Sequence, residues 1–275
     1  MFRIFRKPRE QSLSDKKTKR YLLYAAGEVA LIIIGILIAL QINNWNEERI
    51  ELNEIREYAL DLSAAIEQDL EMLAPVEMQI RASIRQAQVL SDYIRERDVE
   101  ELDNAEMFFM TTHIGYRPYN WNRAALDQLK AAGGLRRIKN KQLTERISDY
   151  DALSRHLDQD YIEDENAAKD ILDSVNHLID VNYDRAGLED LLTWDDGFTT
   201  EDIERRLTQF RETELFESLS ALNKPLLSED TAEFRRFANI NREYADSVRW
   251  RPESEIPRLR GFAQEILDLI DETYR

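Results

Sequence analysis

The chain has 275 residues, of which 54 are acidic, 37 are basic, three are histidine and none is cysteine. The charged fraction of 33%, with only 8 Gly and 6 Pro, predicts an all-α protein, because a β-sandwich or barrel needs many more turn residues. The absence of cysteine excludes disulfides, thiolate metal ligands and a cysteine nucleophile. The three histidines are widely separated in sequence, so we expect neither a metal site nor a cofactor.

The charge is distributed unevenly along the chain. Residues 1–44 carry eight basic and three acidic side chains, a net +5, so residues 45–275 carry −22 to give the total of −17. A surface this acidic repels nucleic acid and anionic lipid headgroups. We therefore expect no nucleic-acid partner.

Residues 21–40 form an apolar stretch with one charged side chain, long enough at about 30 Å to span the hydrocarbon core of a bilayer. Tyr24 and Trp45 stand near its two ends, where interfacial aromatic residues belong. A cleaved signal peptide is the alternative, since the uninterrupted apolar run is only residues 29–40. No small-residue cleavage site follows, however, because Gln41 stands at the cleavage position. The pattern favours a retained membrane anchor.

The orientation of this anchor follows from its flanking charges. Eight Lys and Arg residues precede it, and only Arg49 and Arg56 follow within twenty residues. The more basic side remains in the cytoplasm. We therefore predict a basic cytoplasmic tail at 1–20, a transmembrane helix at 21–44 in contact with the bilayer, and an acidic extracytoplasmic helical domain at 45–275.

The stretch YLLYAAGEVALIIIGILIALQINNWNEER, residues 21–49, resembles the opening of a bacterial membrane-protein family of unknown function. The resemblance rests on Gly-Glu at 27–28 and on IGILIALQINNWNE ending at residue 47. A weaker likeness continues at 126–150, with the pattern LxxLKxxGGLxxIxNxxL. The resemblance implies a single-pass protein of the bacterial inner membrane with a periplasmic domain. It implies no activity.

Beyond the anchor, a helical repeat of apolar residues extends from residue 52 to 94. Eleven of thirteen positions spaced alternately by three and four are apolar, as in a heptad pattern. Pro75 predicts a kink or a break, and we favour one long kinked amphipathic helix over two in tandem. The stripe can pack within the chain or between chains. Its members are Leu52, Ile55, Ala59, Leu62, Ile66, Asp69, Leu73, Val76, Ile80, Ser83, Ala87, Leu90 and Ile94.

The remaining chain predicts a helical bundle with no strand. Asn122 can cap a helix that Gly133 or Gly134 ends, and Thr199 or Thr200 can begin another. In chain order, we predict a turn at 95–103, a helix at 105–114, a loop at 115–121, a long helix at 143–182, a loop at 187–197, and helices at 199–224, 230–250 and 258–274.

Glu28 is the charged residue within the predicted span, where a carboxylate costs about 2.5 kcal/mol or more. On a helical wheel it shares a face with Gly35 and Ala39, a pair of small residues that lets two helix backbones approach closely. This face predicts a homo-oligomer. Glu28 then either faces ions or protons in the oligomer core, or is a neutral carboxyl that bonds to a neighbour or reaches water.

An aromatic loop is the second candidate site. Tyr116, Tyr119 and Trp121, with Arg117, can bind a sugar, a peptide or a protein partner. Alternatively, they cap one end of the bundle. The loop contains no catalytic motif.

An acidic run follows in the predicted long helix, but it lacks the turn glycine and the ligand order of a calcium loop, and we interpret it as a solvated helix face. We interpret His113, His156 and His177 as ordinary bundle residues, and we expect no enzyme. The run comprises Asp158, Asp160, Glu163, Asp164 and Glu165.

Two functions follow from these features. The first is a membrane-anchored sensory or scaffold protein that self-associates and meets an unidentified protein partner. The alternative is an oligomeric channel or transporter component in which the Glu28 face lines an ion path.

Overall fold

The computed structural model describes residues 16–112, 114–183 and 200–274. Within these ranges the chain forms helices and one isolated bridge between Ile179 and Leu226, with no strand. The all-α prediction is confirmed for this part of the chain. The chain forms two compact units, Met1–Glu57 and Tyr58–Arg275. Residues 1–15 of the predicted basic tail lie outside the described residues.

The first helix, α1, spans Lys16–Arg95 and contains 80 residues. Pro75 lies inside it and the helix continues on both sides, so this region holds one helix rather than two in tandem. Pro75 is exposed. The carbonyl group that loses its amide donor to the proline can therefore bond to water. The kink remains a prediction.

Within the N-terminal unit, every residue from 20 to 44 is exposed. Among the described residues, α1 is the only helix long and apolar enough to cross a membrane, and none of its most apolar stretch of 18 residues is buried. A core helix of a water-soluble domain would be mostly covered by its own chain. This segment therefore presents an apolar surface that its chain does not cover.

Within the C-terminal unit, the heptad positions of α1 are buried. None of the eleven from residue 59 to 94 is more than 6% exposed. Its two polar members have partners: Asp69 accepts a hydrogen bond of 2.6 Å from the Tyr150 hydroxyl, and the Ser83 and Tyr244 hydroxyls lie 2.8 Å apart. Each fully buried Leu or Ile contributes about 1.5–3 kcal/mol. This part of the stripe is therefore covered within a single chain.

Two of the later helices of the C-terminal unit, Thr231–Val248 and Ile256–Tyr274, contact the long helix Lys141–Val175. A 3₁₀ turn at Val99–Glu101 follows α1, and a π-helical turn at Arg251–Glu255 precedes α9. In chain order the helices are α2 (Asn104–Thr111), α3 (Ala124–Ala131), α4 (Gly134–Arg137), α5 (Lys141–Val175), α6 (Thr200–Arg211), α7 (Glu214–Ala221), α8 (Thr231–Val248) and α9 (Ile256–Tyr274).

Several helix ends agree with the sequence pattern because local side chains fix them. The Asp103 side chain accepts from the amide of Glu106 and begins α2, and Asp230 caps α8 in the same way. Gly133 adopts φ +66° just beyond α3, a conformation that glycine adopts without steric cost. Each of these boundaries is set by a residue that lies within a few positions of the helix end.

The predicted cap at Asn122 is wrong. The residue preceding α3 is Arg123, and its side chain makes no capping bond. Asn122 instead donates its backbone amide to Asp69 at 2.6 Å and its side-chain amide to Gln68. The Asn122 side chain, which the sequence pattern assigned to the start of a helix, therefore bonds to α1 instead.

The long helix α5 ends at Val175, seven residues before the predicted end at residue 182. The reason is a long-range contact: the Asn104 side chain donates to the carbonyl of Asp180 at 2.8 Å and accepts from its amide at 2.9 Å. These bonds satisfy the backbone of Asp180 outside a helix.

The predicted helix at 199–224 is two helices, α6 and α7. Between them, the Thr213 hydroxyl accepts from the amide of Phe216 at 3.1 Å and starts a new helix. A threonine that bonds to nearby backbone competes with helix continuation. The predicted loop at 187–197 and the predicted start at Thr199 lie outside the described residues.

Two matched substitutions test the burial of the α1 stripe. Ile80 is fully buried, whereas Ile162 on α5 is 57% exposed. Ile80→Ala is expected to lower the free energy of unfolding by about 2–5 kcal/mol because it leaves a cavity. Ile162→Ala is expected to change it by less than about 0.5 kcal/mol. Urea denaturation of the full chain in detergent, followed by circular dichroism, measures both, and equal effects would contradict the assignment of the core.

Candidate functional site

A cleft of about 420 Å³ lies in the C-terminal unit between α1, the predicted aromatic loop and α5. The predicted site residues Tyr116 and Arg117 line it, whereas Tyr119 and Trp121 do not. His113, near this loop in sequence, lies outside the described residues. The other lining residues are Gln79, Thr112, Ile114, Gly115, Tyr161, Asp164, Glu165, Ala168, Lys169 and Leu172.

The loop is held against α1 by hydrogen bonds from its backbone. The amide of Gly115 donates to the Ser83 hydroxyl at 2.7 Å, and the amide of Arg117 donates to Gln79 at 3.1 Å. Gly115 has φ +113°, which L-residues rarely adopt, so glycine is required at this turn. The position of the loop is therefore fixed by α1.

The aromatic side chains of the loop pack into the unit. Tyr119 is buried and stacks on Trp121 with ring centres 5.1 Å apart, and the Trp121 indole donates to Asp158 at 2.8 Å. Tyr116 meets Tyr161 edge to face. All three aromatic rings of the loop thus contribute to packing, while Arg117 remains exposed beside the cleft.

Tyr116 connects the cleft to a buried cluster of charges. Its hydroxyl donates to Asp164 at 2.7 Å. Burial raises the pKa of Tyr116, and the negative charge of Asp164 raises it further, so the hydroxyl remains a donor at any physiological pH. One wall of the cleft therefore depends on the carboxylate of Asp164.

The cluster consists of three carboxylates around the guanidinium of Arg251. Its nitrogens lie 3.2 Å from Asp164, 3.5 Å from Asp160 and 3.2 Å from Glu255. The Arg251 side chain is 11% exposed, and Asp160 and Asp164 are also buried. One positive charge among three carboxylates leaves two negative charges uncompensated.

Both buried carboxyl groups have a raised pKa. Burial is the largest influence on the pKa of Asp160 and of Asp164, and it raises both, although the charge of Arg251 acts in the opposite direction. Arg251 therefore only partly compensates the cost of burying them.

The interpretation of the acidic run as a solvated helix face is wrong for Asp160 and Asp164, although Glu163 is exposed as predicted. The sequence contained a signal that would have located them. Spacings of three and four place them in register with buried Leu157 and Ala168 on the inner face of α5.

His156 completes the cluster on its solvent side. Its Nε2 atom lies 3.5 Å from Asp160 Oδ2 and 3.4 Å from Glu255 Oε1. The Oδ2 atom of Asp160 is buried and has no hydrogen-bond partner among the described residues. Nothing in the sequence indicated this grouping, because Glu255 is 95 residues beyond Asp160 and joins it through tertiary packing.

The third candidate group, Glu28, Gly35 and Ala39, lies in the N-terminal unit. All three residues are exposed, and their spacings of seven and four place them on one face of α1. A Cβ atom built on Gly35 meets nothing within 4 Å. Within one chain, this face is open.

Comparisons with known proteins give no match: no family model matches the chain, and no curated protein or solved structure is significantly similar.

The charge cluster makes a prediction for Arg251. Arg251→Met is expected to lower the free energy of unfolding by about 3–5 kcal/mol near neutral pH, because it leaves buried carboxylates without their counter-charge. The deficit is expected to shrink as the pH falls. Burial raises the pKa of Asp164 and Arg251 opposes that rise, so removing Arg251 raises this pKa further. The native state of the variant therefore takes up a proton at higher pH than that of the wild type, and acidification recovers stability that the variant lost.

Arg249→Met is the matched control. Its guanidinium is about half exposed and lies 3.5 Å or more from its acidic partners, so we expect a change below about 0.5 kcal/mol. Urea denaturation of both variants at several pH values provides the measurement. Equal losses, or a deficit for Arg251→Met that grows on acidification, would show that the cluster is not a buried ion-pair network.

Proposed function

We propose that this chain is a single-pass, membrane-anchored helical interaction protein of sensory or scaffold type. In this proposal residues 21–44 lie in the bacterial inner membrane, the N-terminus is cytoplasmic, and the acidic helical domain at 45–275 is periplasmic. The observation that carries it is that every residue from 20 to 44 is exposed, although residues 21–40 contain a single charged side chain and are otherwise largely apolar. A contiguous apolar surface of this size is stable in lipid and aggregates in water.

The proposed contact with a partner protein uses the cleft beside the aromatic loop. Its lining combines apolar groups with the exposed side chain of Arg117 and with Lys169, which pairs with Glu165 at 3.3 Å. The polar groups at its base are already bonded to one another, as Tyr116 is to Asp164. Such a surface suits binding better than nucleophilic catalysis, which needs a nucleophile held beside a free base.

Self-association is the second part of the proposal, and it uses the face of Glu28, Gly35 and Ala39. Its small residues permit close approach of a second helix, and the chain itself leaves them uncovered. A carboxyl on this face gains a hydrogen-bonding partner when two such helices meet. A channel or transporter component is the alternative, in which several copies of this face surround an ion path.

A topology experiment tests the anchor. A reporter enzyme that is active only outside the cytoplasm, fused after Arg275, is expected to be active, because the positive charges retain the N-terminus inside. The same reporter fused after Arg20 is the control and is expected to be inactive. An inactive C-terminal fusion would contradict the orientation, and a mature chain beginning near Gln41 would contradict the retained anchor.

A pair of matched substitutions tests self-association. Ala39→Leu is expected to reduce cross-linking in native membranes several-fold, as is Gly35→Leu, because a larger side chain prevents close approach of the backbones. Ala30→Leu is the control, since nine residues at 3.6 per turn place Ala30 on the opposite side of α1 from Ala39. Gly35→Leu has space within its own chain, so lost cross-linking reports on association rather than folding.

The same experiment separates the two functions. Glu28→Gln keeps a donor and an acceptor, so a neutral Glu28 in a helix contact predicts unchanged cross-linking. Loss of a cation- or proton-dependent flux with assembly intact would favour the channel. Equal cross-linking of the wild type, Gly35→Leu and Ala39→Leu would exclude both forms of self-association through this face.

A further inference from the structure

We propose that His156, Asp160 and Glu255 form a binding site for a divalent transition-metal ion of the zinc class. His156 and Asp160 lie one turn apart on α5, and Glu255 is the last residue of the π-helical turn that precedes α9. The site is separate from the apolar segment and the proposed self-association, and it concerns residues that the proposed function does not use.

The distances between the three ligand atoms suit a tetrahedral ion. His156 Nε2 lies 3.5 Å from Asp160 Oδ2 and 3.4 Å from Glu255 Oε1, and all three atoms lie within 4.8 Å of one another. Ligands at about 2.0–2.1 Å from Zn²⁺ are about 3.3–3.4 Å apart in a tetrahedron. Two edges of the triangle therefore already have nearly the required length.

The Oδ2 atom of Asp160 supplies an independent indication of a ligand. The Asp160 side chain is 9% exposed, and this oxygen is buried without a hydrogen-bond partner among the described residues. A buried carboxylate oxygen without a partner is costly. The atom lies within 4.8 Å of the ligand atoms of both His156 and Glu255, so an ion bound among the three would satisfy it.

Arg251 orients the two carboxylates for this purpose. It lies 3.5 Å from Asp160 Oδ1 and 3.2 Å from Glu255 Oε2, which are the oxygens that do not face His156. Each carboxylate thus uses one oxygen for the guanidinium and directs the other towards the proposed ion. Metal-binding carboxylates are commonly held by outer hydrogen bonds of this kind.

The charge and the donor set select the class of ion. Three carboxyl groups of the cluster face the single guanidinium of Arg251, so a divalent cation would add positive charge where acidic groups are in excess. One imidazole and two carboxylates suit Zn²⁺ and its neighbours, whereas Ca²⁺ takes six to eight oxygen ligands. The His156 side chain is 54% exposed, so a fourth position is open to water.

The alternative occupant of the triangle is a proton. A protonated His156 would form ion pairs with both oxygens at the observed distances and would leave no room for a metal. If the triangle is a metal site, added Zn²⁺ binds and its binding requires His156 and Asp160. If the triangle holds only a proton, added Zn²⁺ does not bind there.

The test uses the full chain in detergent after chelator treatment, titrated with Zn²⁺ by calorimetry. We expect one saturable site, and at least tenfold weaker binding for both His156→Ala and Asp160→Asn, since losing even an outer partner of a metal ligand costs 10–100-fold. Because His156 is more than half exposed, its truncation is expected to leave the fold intact by circular dichroism.

His177→Ala is the matched control, because His177 is also an exposed histidine of the same unit and lies outside the triangle. Its binding is expected to equal that of the wild type. Co²⁺ bound to the wild type is expected to show the visible absorption of a tetrahedral complex, and His156→Ala to lose it. No Zn²⁺ binding, equal binding by wild type and His156→Ala, or Ca²⁺ binding as tight as that of Zn²⁺ would each overturn the proposal.

Discussion

The burial of one face of α1 is the constraint on which the C-terminal unit depends. Its stripe from residue 59 to 94 is covered almost completely, and the two polar positions within it are used as attachment points. Asp69 accepts from both Tyr150 and the amide of Asn122, which fixes α5 and the start of α3. Ser83 binds the amide of Gly115. A stripe of apolar residues alone would bury these elements without fixing their register.

The second organising element is α5, because both candidate sites of the C-terminal unit lie along it. Its residues between Tyr161 and Leu172 line the cleft, and Asp160 and Asp164 enter the charge cluster. Asp164 belongs to both sites, since it accepts from Tyr116 and pairs with Arg251. The proposed metal site is therefore connected to the cleft through Arg251 and the carboxylate of Asp164.

The two units differ in whether the chain covers the apolar residues of α1. In the C-terminal unit the chain covers its own apolar stripe. In the N-terminal unit residues 20–44 remain exposed throughout, so the chain leaves this largely apolar surface uncovered. The proposed function follows from this difference. A segment that its own chain leaves uncovered must be covered by something else.

The sequence by itself determined the helical class, the apolar segment, the stripe of α1 and those helix ends that short-range chemistry sets. Asp103, Asp230 and Gly133 act on backbone groups a few residues away, and the spacing of apolar residues follows directly from the helical repeat. These features could be predicted because the side chains that determine them lie within one or two helical turns of the backbone groups that they affect.

Only the tertiary structure decided the features that join distant residues. Asn104 ends α5 early by binding Asp180, and Asn122 bonds to α1 instead of capping α3. The charge cluster is of the same kind, because Arg251 meets Asp164 across 87 residues of sequence. The inward register of the acidic residues was visible in the helical repeat, but their counter-charge was not. A polar side chain has many partners of equal chemistry along a charged chain, and only packing brings one of them within bonding distance.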